Sequence, residues 1–116
     1  MNLTLGAQDL NLYLADSPPD WSQGLVGRDL DGVDGMCFAF EREVRHAFHM
    51  DGMTTPILIA FFDDSGGYVD ATWLDLDAGP YHAVAPYRYV LELIGDHADI
   101  GVFALLPALL AGITPP

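Results

Sequence analysis

The chain has 116 residues, of which 51% are hydrophobic and 18% charged, so it suits one domain with a packed core and is too apolar for a disordered chain. Its 17 acidic residues face only four basic ones, which gives a formal net charge of −13. Because binding to phosphate backbones or anionic lipids needs clustered Lys and Arg, this balance argues against nucleic-acid and membrane partners.

The first third of the chain predicts one strand and one short helix. Apolar and other side chains alternate over residues 10–15, which is typical of a half-buried strand. Ser17, followed by two prolines, predicts a helix that runs to about Val26 and ends at Gly27. The Asp and Gly residues of 28–35 predict a loop.

The middle of the chain predicts three strands and two turns. Residues 36–40 and 44–50 have strand composition, and the charged residues 41–43 between them predict a hairpin turn. Residues 57–62 are apolar without interruption, which favours a strand covered on both faces. The strongest turn signal in the chain, 63–67, follows this strand and predicts a hairpin with a bulge or a longer loop.

Two further strands are predicted over residues 68–76 and 88–94, and the tail is ambiguous between a strand at 102–106 and a short helix from 107 to 111. Many short strands with frequent Gly, Pro and Asp turns predict a mainly β fold. We expect a small single-domain β sandwich or partly closed barrel with one or two short helices.

The longest apolar run, residues 102–113, contains a proline, whereas a membrane span needs ~20 apolar residues. The N-terminal residues lack the basic start and apolar core of an export signal. We therefore expect a cytoplasmic protein. The run 102–113 is a candidate contact for a homodimer, because a small domain does not easily cover so much apolar surface.

The four histidines invite a metal hypothesis. On the predicted strand His46 and His49 point to opposite faces, so they cannot hold one metal without a bulge. His49 could pair with Asp51, with His82 or His97 completing a site. Solvent-facing or hydrogen-bonded histidines are the simpler interpretation, and we expect no metal and no cofactor.

Other catalytic patterns are missing from the sequence. Asp-rich loops begin at Asp29, Asp63 and Asp75, but none has the Glu that a calcium loop needs at its twelfth position. The chain has no Gly-x-Ser-x-Gly and, without Lys, no phosphate-binding P-loop. The single cysteine, Cys37, lies between apolar residues and is interpreted as a buried hydrophobe.

Several short motifs occur in the order and approximate spacing of a known family. They are Gly24-Leu25-Val26, Gly35-Met36-Cys37-Phe38, Phe48-His49-Met50, Pro56-Ile57-Leu58-Ile59, the Asp-Ser-Gly turn, and Tyr89-Val90-Leu91-Glu92-Leu93 followed by Gly95. In these the chain, over about residues 10–103, resembles the family called domain of unknown function 192. The resemblance implies a compact β-rich domain of bacteria and archaea without an established activity.

The chain departs from the family pattern at its polar positions. Where the family usually reads Phe-Trp-Met-Lys-Asn-Thr and then Pro-Leu-Asp, this chain has His49 for Trp, Asp51 for Lys, Gly52 for Asn, Met53 for Thr and Leu58 for Asp. If those positions form the family's site, the site is altered here.

We therefore expect a non-enzymatic module that binds a small ligand or a protein partner, using the loop 51–56 and the tyrosine-bearing segment 81–89. The candidate binding residues are His49, Asp51, Tyr87, Arg88 and Glu92. The alternative is a hydrolase-like or metal-dependent enzyme that uses His49, Asp51 and Glu92.

Overall fold

A computed structural model of the chain describes residues 2–5 and 8–94, and in that part it shows one six-stranded sheet and one short helix. The strands are β1 (Asn2–Leu5), β2 (Gln8–Ala15), β3 (Gly35–Val44), β4 (Ile57–Phe62), β5 (Tyr68–Leu74) and β6 (Tyr87–Ile94), and helix α1 (Pro18–Gln23) follows β2. In space the strand order is β1-β2-β3-β6-β4-β5, and all neighbours are antiparallel except β2 and β3. The sheet is not closed, and the predicted mainly β domain with a short helix is confirmed.

Both faces of the central strands are buried, as the unbroken apolar run predicts. All six residues of β4 are buried. Ile57, Ile59 and Phe61 belong to the core on one face, against which Trp21 and Leu25 pack, and the alternate residues of β4 belong to the core on the other. We call the first the helix face and the second the opposite face. Each core takes every second residue, because successive side chains of a strand point to opposite faces.

The predicted hairpin turn at 41–43 is wrong, since β3 continues through these residues to Val44. The predicted strand 44–50 is also wrong beyond Val44, because its only ladder contact in the described chain is the isolated bridge between Phe48 and Tyr81. The cause is a register irregularity in the β3–β6 ladder after Ala39, beyond which the charged residues of β3 are exposed. Charged residues are tolerated there because residues 41–43 are exposed to solvent.

Helix α1 begins where the sequence predicts, with Pro18 in its first turn and Ser17 in an extended conformation before it. It ends at Gln23, three residues before the predicted Val26. Gly24 ends it early, because its φ of 56° lies in the left-handed region and its N–H bonds to the Asp20 carbonyl oxygen at 2.9 Å.

The turn at 63–67 joins β4 to β5 as predicted, and the register shift between Phe61 and Phe62 is the bulge that the sequence indicates. The Asp63 carboxylate organises the turn, because it accepts the Ser65 hydroxyl at 2.8 Å and the backbone N–H groups of Ser65 and Gly67 at 3.0 and 2.8 Å. These bonds, the Ser65 hydroxyl foremost, lower the pKa of Asp63.

Some predicted features lie outside the described residues: the apolar run 102–113, the alternative strand 102–106 or helix 107–111, and His97. Across residues 2–5 and 8–94, no helix is long and apolar enough to cross a membrane.

Candidate functional site

The chemically most unusual group of the described chain is the carboxyl group of Glu92. Glu92 is the one buried charged residue in residues 2–5 and 8–94, with 6% of its surface exposed. Its neighbours across the sheet are Met36 on β3 and Ile59 on β4, both fully buried and apolar. No donor of the described chain hydrogen-bonds to the carboxyl group, and burial raises the pKa of Glu92 to about 8.

Glycine allows the backbone that carries Glu92 to lie this close to β3. A Cβ atom placed on Gly35 would lie 1.8 Å from the Glu92 carbonyl oxygen, a distance at which atoms overlap. Gly35 pairs with Leu93 in the ladder. Gly35, the first residue of β3, therefore allows the backbones of β3 and β6 to lie this close together at Glu92.

A cavity of about 290 Å³ opens in front of Glu92, between helix α1, the helix face of the sheet and the segment that follows β3. Its buried floor and walls are lined by Leu25, Phe38, Phe40, Ile57 and Glu92, with the half-buried Trp21, Val26, Phe48 and Met53 around them. Its rim is exposed and includes Ser22, Gln23, His46, Ala47 and His49. We call this cavity the Glu92 pocket, and no Lys or Arg lines it.

Helix α1 supplies one wall through Trp21. The Trp21 ring lies 5.0 Å from the Phe40 ring, and its indole N–H donates to the Ala15 carbonyl oxygen at 3.0 Å. Arg28 fixes the far end of the helix by donating to the Gly24 carbonyl oxygen at 2.6 Å and pairing with Asp20 at 3.1 Å. The wall is thus held by hydrogen bonds, and Trp21 both lines the pocket and packs against the core.

The segment 46–50 supplies the other wall and is held in place by hydrogen bonds and ring contacts with the residues packed against it. Phe48 exchanges backbone hydrogen bonds of 2.9 and 2.7 Å with Tyr81 and packs edge-on against Phe38 at 5.3 Å. The buried Tyr87 hydroxyl donates to the His46 carbonyl oxygen. Burial raises the pKa of Tyr87, so this hydroxyl keeps its proton and remains a donor.

The structure brings two of the five predicted binding residues to the pocket, Glu92 at the floor and His49 at the rim. Asp51 does not line it. The Asp51 carboxylate lies 3.8 Å from His49 Nδ1, and the two side chains are 95% and 57% exposed. That distance is too long for a hydrogen bond and the pair is solvated, so it contributes little to binding or stability.

Tyr87 and Arg88 lie outside the pocket lining. Tyr87 is fully buried beneath the segment 46–50. Arg88 donates to the Phe40 carbonyl oxygen at 2.9 Å, pairs with Asp64 at 3.1 Å and covers the Tyr89 ring. Both side chains therefore support the fold around the pocket and do not face a ligand there.

The sequence did not identify the pocket's aromatic residues as a site. Trp21, Phe38, Phe40 and Phe48 come from three separate parts of the chain. Their spacing indicates core residues, and only the tertiary contact of α1 with β3 gathers them around Glu92. The one available signal is Glu92 itself, an acidic residue inside an otherwise apolar strand.

The described residues offer little for metal or nucleophilic chemistry. Within residues 2–5 and 8–94, no group of three or more His, Cys, Asp or Glu side chains is arranged to hold a metal ion. Cys37 lies buried on the opposite face, where burial raises its pKa to about 11. Tyr81 donates to Asp70, so its hydroxyl is also occupied.

The comparisons with known proteins match this chain to a family and to crystal structures of similar fold. The sequence model of the DUF192 family, described as Uncharacterized ACR, matches residues 1–102. Crystal structures similar to the chain include a protein of unknown function from Novosphingobium aromaticivorans DSM 12444 (TM-score 0.66, 24% identity, covering 84% of this chain and 74% of that one). Another is a candidate transcription regulator from Sinorhizobium meliloti 1021 (TM-score 0.66, 23% identity, covering 86% and 83%). Among curated proteins, no sequence matches. At this identity, the likeness shows a shared fold.

Proposed function

We propose that this chain, which belongs to the DUF192 family, is a non-enzymatic domain that binds a small, largely apolar molecule in the Glu92 pocket. One observation carries the proposal: a buried carboxyl group that has no hydrogen-bond partner among the described residues stands at the floor of a cavity walled by aromatic rings. Apolar cavities with a few convergent polar groups are the usual form of small-molecule sites.

The size of the pocket supports a small ligand. Its volume of about 290 Å³ is at the lower end of the range for ligand sites, ~300–1,000 Å³, and about twice that of a cavity that holds benzene. A molecule with one ring and a short side chain fits this space. The exposed rim, with His46 and His49, would lie beside the end of the ligand that stays in water.

The absence of an assembled nucleophile in the described residues favours binding over hydrolysis. Ser22 contributes the one hydroxyl among the described residues of the lining, and in the same part of the chain no imidazole ring hydrogen-bonds to a hydroxyl. A hydrolase or metal-dependent enzyme would use His49, Asp51 and Glu92. In that case, changing His49 or Glu92 would abolish turnover of a substrate panel, or metal content, while the melting temperature held.

The charge of the chain argues against a role on nucleic acid, although one similar structure is named as a candidate transcription regulator. Of the four arginines, Arg28 pairs with Asp20 and Arg88 with Asp64. With a net charge of −13, the surface repels a phosphate backbone.

Two predictions from the sequence accompany this proposal. The first is that the protein acts in the cytoplasm, which fractionation of cells would test. The second is that it forms a homodimer through residues 102–113, in which case analytical ultracentrifugation would find twice the mass of the chain. Neither is needed for the pocket to bind a small molecule.

A screen of small aromatic fragments by ligand-observed NMR tests the binding function directly. Trp73→Phe leaves Trp21 as the single tryptophan, so its emission reports on the pocket. Ser22→Phe should obstruct the rim and abolish binding, whereas Ser22→Ala, at the same exposed position, should leave it unchanged. If no fragment binds, or if binding survives Ser22→Phe, the proposed pocket is not the site.

A further inference from the structure

We infer that the Glu92 pocket is built for a ligand that carries a positively charged nitrogen on an apolar body, with the ammonium group directed at the Glu92 carboxyl group. The inference rests on the proposed function and adds the chemical class of the ligand. Four features lead to it: the carboxyl group without a hydrogen-bond partner in the described residues, the aromatic walls, the absence of basic residues from the described lining, and the net charge of the chain.

The carboxyl group of Glu92 is available to a ligand. No side-chain oxygen of the described chain is both sealed from solvent and without a hydrogen-bond partner. Glu92 has no such partner, so its oxygens face the cavity and not the sealed core. Buried acidic groups normally have a donor or a cation beside them. Here residues 2–5 and 8–94 supply neither, and the cavity leaves room for a ligand to do so.

The walls suit a cation as well as an apolar body. The rings of Phe38 and Phe40 lie 6.3 Å apart, that of Trp21 lies 5.0 Å from Phe40, and that of Phe48 lies 5.3 Å from Phe38. The four rings thus form one continuous aromatic cluster, and they line the same cavity as Glu92. Aromatic faces attract ammonium groups, and Trp does so most strongly.

Charge excludes the opposite class of ligand. No Lys or Arg lines the pocket, so a carboxylate or phosphate ligand would enter it without a cation to offset the charge of the ligand. The net charge of −13 adds a field that draws cations towards the protein and repels anions. Among the described residues of the lining, the titratable groups besides Glu92 are His46 and His49, both at the exposed rim. The lining residues from α1, β3 and β4 do not titrate.

Binding of an ammonium ligand should release a proton. Burial raises the pKa of Glu92 to about 8. At pH 7, Glu92 is therefore the neutral acid in most protein molecules whose pocket is empty. The ammonium group stabilises the carboxylate, so the acid proton leaves to solvent as the ion pair forms. The charge balances: a neutral acid and a cation give an ion pair and one free proton. A neutral ligand of the same shape releases none.

The test uses three probes that share one ring and differ in their end group: phenethylamine, phenethyl alcohol and phenylacetate. Calorimetry at pH 7 in phosphate and in Tris buffer gives each affinity and the number of protons released. We expect the amine to bind about tenfold or more tightly than the alcohol, with close to one proton released, and the acetate to bind weakest. Glu92→Gln should reduce the amine to the affinity of the alcohol and remove the proton release.

Glu41→Gln is the matched control, because it makes the same replacement of a carboxyl group by an amide at an exposed position of β3 away from the pocket. It should leave all three affinities unchanged. Equal binding of amine and alcohol, or a preference that persists in Glu92→Gln, overturns the inference but leaves the proposed function standing. If none of the three binds, the inference is also wrong, and the fragment screen with the Ser22 variants decides separately whether the pocket binds small molecules.

Discussion

Replacing Glu92 by Gln should stabilise the folded protein by an amount that increases with pH. In the unfolded chain the carboxyl group ionises near its ordinary pKa of 4.5, whereas burial raises the pKa in the folded protein to about 8. Between these values the folded state binds the proton and the unfolded state has lost it, so stability falls as the pH rises. Below about pH 4.5 both states are protonated, and above about pH 8 the loss is complete. The whole shift corresponds to about 5 kcal/mol.

Urea unfolding of the wild type and Glu92→Gln at pH 6, 7 and 8 measures this effect. The difference in unfolding free energy between the two proteins should grow by about 2 kcal/mol from pH 6 to pH 8, with Glu92→Gln the more stable. Other titrating groups are common to both proteins and cancel in the difference. Parallel pH profiles would refute the reasoning, because they would mean that the carboxyl group has the same pKa in both states and is not buried as described.

Substitutions at Gly35, Tyr87 and Gly52 test the scaffold of the pocket. Gly35→Ala places a Cβ 1.8 Å from a carbonyl oxygen of β6, so urea unfolding should show a loss of more than about 3 kcal/mol in the free energy of unfolding. The control is Gly79→Ala, whose Cβ meets nothing within 4 Å and which should leave the free energy of unfolding almost unchanged. Tyr87→Phe removes the buried donor to the His46 carbonyl oxygen, so it should lower the free energy of unfolding by about 1–2 kcal/mol and weaken fragment binding. Unchanged values would mean that this hydrogen bond does not hold the segment 46–50. Gly52 has a φ of 80°, so Gly52→Asn should cost less than Gly52→Ala, and equal melting temperatures would show that backbone conformation is not what limits this position.

The sequence predicts most of the sheet because its signals are local. The continuous apolar run of β4 and the turn that follows it fix a central strand and a hairpin without reference to the rest of the chain. The predicted end of β3 was wrong because the true end depends on a partner strand that is distant in sequence. The irregular register with β6 lets charged residues continue the strand where local composition indicates a turn. Local composition carries no information about such a register.

The site was predictable only in part, for the same reason. Glu92 stands out in sequence as an acid in an apolar strand, and the structure shows it buried at the floor of the pocket. Arg88 also stands out, but its guanidinium bonds to the Phe40 carbonyl oxygen and to Asp64, contacts that no spacing in the sequence reveals. Trp21 has the ordinary appearance of a core residue and becomes a wall only because α1 folds over β3.

The five positions where the chain departs from the family pattern do not bear equally on the pocket. Leu58 is buried on the opposite face and Asp51 is exposed outside the lining. Gly52 adopts a positive φ, which Asn tolerates better than most residues, so that exchange preserves a turn and not a contact. Only His49 and Met53 line the pocket, at its rim and wall.

The floor carries Glu92, at a position within the motif that the chain shares with the family, whereas the changes that reach the pocket are confined to its rim and wall. We therefore propose that changes at the rim alter which ligand body the pocket accepts, whereas the charge that it requires of the ligand depends on Glu92. For this reason the proposed preference for an ammonium group depends on Glu92 and the aromatic walls, and His49 and Met53 are the positions expected to determine the shape and size of the ligand.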